Sequence, residues 1–417
     1  MAAGLVLGLL PAAWGQPVPS RSRSSLRAPV TFNNQIVRIF QQNCQACHHP
    51  GDVGPFSMMS HREVVPWLKQ IKTEVQARRM PPWKPVPGHG EFVEERRLSQ
   101  QEIELIARWV DSGAPEGDPR DLPAPLEFSE QWTLGTPDLV LEPEADFVVP
   151  AEGSDVYRCF SIPTRLLQGR HVTSIEMRPG NRSVVHHVLL FPDPLGVSAT
   201  MAKPNDPQAG YSCFGGPGIP TDSILGAWAP GIRPQVLPPG VGVRLTPGGR
   251  VVMQVHYHVN GTPQGDRTRV GLYFARDPAP KELLWAPIAN LGFEIPPGES
   301  RYTVTASFSV PPFLNARAHF IGPHMHQLGR EMRAEAVFRD GTRRPLIYID
   351  DWDFNWQAIY TFREPVLLPS GTRIEVTAVY DNSTGNPRNP FNPPRPIRWG
   401  EQTTDEMCLL FIGVTLE

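Results

Sequence analysis

The sequence has no apolar stretch of the roughly 20 residues needed to cross a bilayer, so a bundle of membrane-spanning helices is excluded. Charge is sparse, at 19% of residues, and neither sign dominates: 39 Lys and Arg face 42 Asp and Glu, for a net charge of -3. With no basic cluster, nucleic acid and anionic membrane surfaces are not expected partners. Cysteine is scarce too, with five in 417 residues. That excludes a small disulfide scaffold, and each cysteine is read singly as a cofactor anchor, a bridge or a spare thiol. Proline, by contrast, is abundant: 48 residues against 36 glycines, roughly twice the usual share, which favours loops and short strands over long helices. A chain of this length predicts about two to four domains.

The opening MAAGLVLGLLPAAWGQ is apolar, too short to span, and has small residues at Ala13 and Gly15. This is the pattern of a signal peptide over residues 1–15, and a periplasmic or secreted location is the expectation. Residues 31–43 place Ile36, Ile39 and Phe40 on one helical face directly before Cys44. Ser60 with Glu63, and Ser99 with Glu102, have capping-box spacing ahead of two further amphipathic runs. Pro66 moves the start of the first run towards Val65, and Gly113 with Pro115 stops the second. A small helical domain over 30–117 is therefore expected, followed by a proline-bearing linker over 118–134.

Beyond the linker come HVTSIEM, SVVHHVLLF, RVVMQVHYHV, RVGLYFA, TRIEVTAVY and MCLLFIGV, punctuated by Gly, Pro, Asn and Asp, which read as antiparallel strands. The region is generous for one sandwich, and Asp277-Pro278-Ala279-Pro280 interrupts the pattern near its middle. Two all-β antiparallel sandwiches of jelly-roll-like type are expected, over 135–278 and 279–417. The predicted fold class is thus multidomain, a small all-α domain followed by two all-β domains.

Cys44-Gln45-Ala46-Cys47-His48 has the spacing by which two thiols anchor one haem c while the adjacent histidine ligates its iron. A zinc site or a redox-active CxxC is the plainer alternative, but no second cysteine pair lies nearby. Met80, in RRMPPWKP beyond the middle helix, is the expected sixth ligand, with Met58, Met59, His61 and His89 as rivals. The segment 30–117 resembles class I-type cytochrome c, with a leading helix, CxxCH, a methionine loop and a closing helix.

Seven of the 12 histidines lie beyond His171, and six of them arrive as His186-His187, His256-Tyr257-His258 and His324-Met325-His326. On a strand, i and i+2 share a face, so His324 and His326 can close on one metal. Adjacent His186 and His187 would point to opposite faces unless a bulge intervenes, and taken alone they read as structural. The order of motifs supplies the missing support: MRPGNRSVVHHVLLF, WAPG, MQVHYHV, HMHQLG and TTDEMCLLF. Over roughly residues 135–417 this order resembles the copper type II ascorbate-dependent monooxygenases, the family of peptidylglycine alpha-hydroxylating and dopamine beta-monooxygenases.

That resemblance implies two copper ions, one on His186, His187 and His256 and the other on His324, His326 and Met407. It implies C–H hydroxylation of a small organic substrate with O2, the O2 chemistry at His324, His326 and Met407 and an electron supplied from the first centre. Electrons would come from ascorbate, another reductant or redox protein, or the fused haem. Mixed imidazole and thioether ligation suits copper, since thioether selects Cu(I). A haem–copper electron-transfer or copper-binding protein without hydroxylase activity is the alternative. Cys159 and Cys213 match positions bridged in the family, which implies a disulfide, while Cys408 is expected as a buried free thiol. His258 is expected on the sheet surface or supporting a ligand, and His171 and His319 are expected to be structural. Gly322 stands where the peptide-hydroxylating members carry an arginine for the peptide carboxylate, so peptidylglycine is not the expected substrate.

Overall fold

The computed structural model describes Met1 and residues 29–52, 54–128, 132–202, 206, 208–214, 216–220, 224–229, 232–276, 281–400 and 402–417. Apart from Met1, the expected signal peptide lies outside these residues, as does the break at 277–280.

A π-helical turn at Phe32–Ile36 runs into α1, Val37–Asn43. Helix α2, Leu68–Gln76, follows a helical turn at His61–Val64 and a 3-10 turn at Val65–Trp67, so Pro66 occupies a position where its missing N–H costs nothing. Helix α3, Gln100–Asp111, opens with the expected capping box: Ser99 Oγ accepts from the Glu102 N–H at 3.2 Å, and the Glu102 carboxylate accepts from the Ser99 N–H at 2.7 Å. Ser60 makes only part of such a box, its hydroxyl donating to Glu63 at 2.7 Å without capping the backbone. Phe32, Ile36, Phe40, Val64, Ile106 and Trp109 bury together as this unit's core. The helices are few and short, and an all-α domain of cytochrome type is not evident from the fold alone. One expectation is corrected: residues 83–93 lie not in the helical core but against the C-terminal sheets, where Phe92 is buried.

The main strands of the middle region are β1 Leu139–Leu141, β2 Val156–Pro163, β3 Arg170–Arg178, β4 Val185–Asp193, β5 Val241–Leu245, β6 Arg250–Tyr257 and β7 Arg269–Phe274. One sheet has the order β1-β7-β3-β5; the facing one has β2-β6-β4 at its centre. Strand β6 is central and buried on both faces, in keeping with the apolar Val251, Val252, Met253, Val255 and Tyr257 of RVVMQVHY. Cys159 of β2 is bonded to Cys213, and Cys408 is a buried free thiol, both as expected.

The C-terminal region contributes β8 Leu284–Asn290, β9 Tyr302–Ser309, β10 Ala316–His324, β11 Gly329–Val337, β12 Arg343–Ile349, β13 Tyr360–Leu368, β14 Arg373–Tyr380 and β15 Cys408–Leu416. They form two antiparallel sheets, β8-β15-β10-β13 and β9-β14-β11-β12, around their own core. Trp285 of β8 and Phe320 of β10 pack instead into the core of the middle region. Gly413 permits this close approach, since a Cβ there would stand 3.0 Å from Phe320 and 3.3 Å from Trp285.

Candidate metal centres

Strands β4 and β6 pair residue for residue as far as His256 opposite His187; the next pair is Tyr257 with Val185, so the register skips His186. That bulge removes the alternation that would have sent His186 to the far face. His186 Nδ1 consequently lies 3.2 Å from His187 Nδ1, which is 3.3 Å from His256 Nδ1. Candidate ligand atoms of the three residues all fall within 4.8 Å of one another. On the outer side, His256 Nε2 lies 2.9 Å from Asp155 Oδ2 and donates to it, which leaves the Nδ1 lone pair facing the cluster. Asp155 also binds the exposed His258 at 3.0 Å, so one carboxylate bridges His256 and His258. Tyr157 stacks on His256 at 4.2 Å with the rings nearly parallel.

Three imidazoles this close cannot all be imidazolium cations. Burial, reinforced by the neighbouring histidines, pushes His187 well below its ordinary value and His256 down to about 4, and burial lowers His186 as well. Neutral imidazoles are what a metal requires.

His324 and His326 stand at the end of β10 with their rings 5.2 Å apart and perpendicular. His324 Nδ1 donates to Gln357 Oε1 at 2.6 Å and His326 Nδ1 to the Asp405 carbonyl at 3.2 Å, so each keeps Nε2 for a ligand. Burial and the neighbouring His326 push His324 down to about 3. Strand β15 pairs with β10 up to Leu409 opposite His324, and Met407 lies two residues before Leu409. Glu406 ties the two chains together, its buried carboxylate accepting from the backbone N–H groups of His326 at 2.8 Å, Leu328 at 2.5 Å and Met407 at 3.2 Å. Burial pushes this carboxyl up to about 8, against the pull of the backbone donors.

Asp155, Gln357 and Glu406 were not among the expected site residues. Glu406 lies inside the DEMC motif and could have been noticed; Gln357 and Asp155 sit in no motif.

In the CxxCH segment Cys44 and Cys47 are unbridged, and burial pushes the Cys44 thiol up to about 12. His48 Nδ1 donates to the Phe56 carbonyl at 3.0 Å, leaving Nε2 free as an axial ligand must. A Cβ on Gly54 would lie 2.6 Å from the Cys47 carbonyl, so the chain can fold back over the motif only with glycine there. Met80 is half-buried in the loop after α2, Met58 belongs to the helical core, and His61 Nε2 donates to the Ala114 carbonyl at 2.8 Å. His89 is drawn away to the ring of Tyr348, 5.2 Å off on the C-terminal sandwich.

Residues 295–413 match the family described as copper type II ascorbate-dependent monooxygenase, C-terminal domain, and this stretch contains His324, His326 and Met407. Among individual proteins, the chain is 27% identical over 300 residues to DBH-like monooxygenase protein 1 of Homo sapiens, covering 63% of this chain and 45% of that protein. It is likewise 27% identical over 300 residues to peptidyl-glycine alpha-amidating monooxygenase of Mus musculus, covering 68% of this chain and 27% of that one. The chain therefore spans less than half the length of these relatives. Among solved structures, the major capsid protein P2 of bacteriophage PM2 aligns with 66% of this chain and 97% of its own at 12% identity and a TM-score of 0.27, too loosely to carry an argument.

Proposed function

We propose that the chain is an exported copper monooxygenase that hydroxylates a C–H bond of a small organic substrate with O2. Two copper ions would be held, one by His186, His187 and His256, the other by His324, His326 and Met407. The observation that carries this reading is the convergence of three Nδ1 atoms on one strand pair, and it is supported by His324 and His326, whose Nδ1 atoms are both hydrogen-bonded so that Nε2 is left for a metal. Imidazole suits both copper oxidation states, whereas thioether favours Cu(I). Bound there, copper supplies one-electron transfer and O2 activation. The chain's own residues hold the ligands: Asp155 and Tyr157 orient His256, Gln357 orients His324, and Glu406 fixes the spacing of His326 to Met407. Gly322 offers no charge for a peptide carboxylate, which argues against a peptidylglycine substrate.

The helical unit, on this reading, is a cytochrome c-type domain carrying haem c on Cys44, Cys47 and His48, with Met80 as the second axial ligand. Haem supplies an internal one-electron store fed by ascorbate, a similar reductant or a redox protein. In support of a relay, Asp52, four residues after His48, forms an ion pair with Arg182, four residues before His186. The loop that follows the haem motif thus meets the loop that leads into the first histidine cluster. Export is supported by the Cys159–Cys213 bond, which requires an oxidising compartment. Among the described residues no helix is long and apolar enough to cross a membrane.

The test is mass spectrometry of a metabolite extract incubated with the reduced, copper-loaded chain and isotopically labelled O2. Label appearing in an organic product, with O2 uptake dependent on that compound, supports the reading. O2 uptake indifferent to every organic addition returns the protein to the electron-transfer alternative.

A further inference from the structure

Residues 350–359, between β12 and β13, contain no helix or strand, yet they hold both histidines of the second centre. Gln357 accepts from His324 Nδ1 at 2.6 Å, Trp352 Nε1 donates to the His326 carbonyl at 3.1 Å, and Phe354 stands edge-on to the His326 ring at 5.8 Å. The Gln357 amide is itself oriented, its Nε2 donating to the Phe354 carbonyl at 3.0 Å, so that Oε1 is the atom turned to His324. An irregular segment has no ladder of its own, and its shape is set where its ends are tied.

Both ends are tied by the segment of the helical unit that departs from that unit's core. At the leading end, the Val86 N–H donates to the Tyr348 carbonyl at 2.7 Å, Pro85 lies opposite Ile349, and Lys84 Nζ pairs with Asp351 at 2.8 Å. At the trailing end, the Val93 N–H donates to the Thr361 carbonyl at 3.0 Å, and the Arg363 N–H donates to the Glu91 carbonyl at 2.8 Å. Trp83 and Phe92 close on Tyr360 from two sides, at 5.4 Å and 5.3 Å. Strands β12 and β13 are edge strands of different sheets, and the strap covers both edges.

We infer that residues 83–93 are a strap by which the helical unit orients His324, acting through the 350–359 segment and Gln357. Gln357 is a positioning residue in this scheme: it holds the Nδ1–H tautomer and the ring plane of His324, and the strap holds Gln357. The two halves of the molecule are then not merely tethered by their linker, because a piece of the first is a structural part of the second centre. Met80 lies three residues before Trp83, so a change at the methionine loop has a short covalent route to His324. The functional consequence rests on reading His324 as a copper ligand; the positioning itself does not.

The test uses the full chain with His186 and His187 both replaced by Ala, so that only the second centre remains. Its variants are Trp83→Ala with Lys84→Ala, Gln357→Leu, and Gln357→Glu, which keeps an acceptor oxygen. In the apo protein, nitrogen NMR of His324 should show the Nδ1–H tautomer in the parent and in Gln357→Glu. Gln357→Leu and the strap variant should lose it, and backbone hydrogen exchange across 350–359 should rise in the strap variant. With copper, those two variants should share an altered paramagnetic resonance spectrum and a fall in affinity of about tenfold. A folded strap variant that keeps the parent tautomer overturns the inference, as does one with unchanged exchange across 350–359. A parent that binds no copper while the tautomer results hold would overturn the metal assignment and leave the strap standing.

Discussion

His187 faces His256 across β4 and β6, and the residue that the register then skips, His186, completes the cluster. One inserted residue in a ladder converts a pair of histidines pointing apart into three that converge.

Because the two donor sets sit on different strands and share no residue, their copper ions should be lost independently. His186→Ala should reduce metal content from two copper ions per chain to one, leaving the centre at Met407 filled. Met407→Ala should weaken Cu(I) binding at the other centre while His186, His187 and His256 stay occupied. Metal analysis after dialysis against a Cu(I) chelator reads both, and simultaneous loss of the two ions in either variant would contradict the division.

Stability of the apo chain should fall in mild acid. His256 and His324 have folded values of about 4 and about 3 against an ordinary value of 6.5, so the unfolded chain binds more protons than the folded one between those limits. Their contribution is present above pH 6.5 and is lost as pH falls towards 4 and 3. Urea unfolding of metal-free protein at a series of pH values should show this, and His256→Ala should make the acid loss shallower. Bound copper should shift the loss to lower pH, since metal and protons compete for the same nitrogens.

Glu406 should matter to the fold before it matters to the chemistry. Glu406→Ala strands the backbone N–H groups of His326, Leu328 and Met407, and at about 1–3 kcal/mol for each buried unpaired donor the loss should reach at least about 3 kcal/mol. Glu406→Gln keeps one acceptor oxygen and should lose less. Denaturant unfolding of the apo chain measures the difference; an unchanged midpoint in the alanine variant would mean that those N–H groups find other acceptors.

Local pattern alone determined much of this protein. The Ser99–Glu102 box and the central strand RVVMQVHY depend on residues within a few positions of one another, where sterics and strand or helix period decide the outcome. The resemblance carried by the order of the histidine motifs brought His186, His187 and His256 together before any register was known, and the bridge between Cys159 and Cys213 followed from the same resemblance. Tertiary structure decided what needed a partner far along the chain. The direction of His186 depends on how β4 pairs with β6, a register that no property of adjacent histidines encodes. Residues 83–93 read as part of a helical domain because their neighbours in sequence do, but Trp83 and Phe92 bury themselves on Tyr360, more than 260 residues away. Gln357 carries no motif because its role, accepting the His324 Nδ1 proton, exists only once β10 and the 350–359 segment are packed together. Periodicity reports which face of an element is buried; which distant group meets that face is settled only by packing, since the contact free energy belongs to the pair and not to either sequence window.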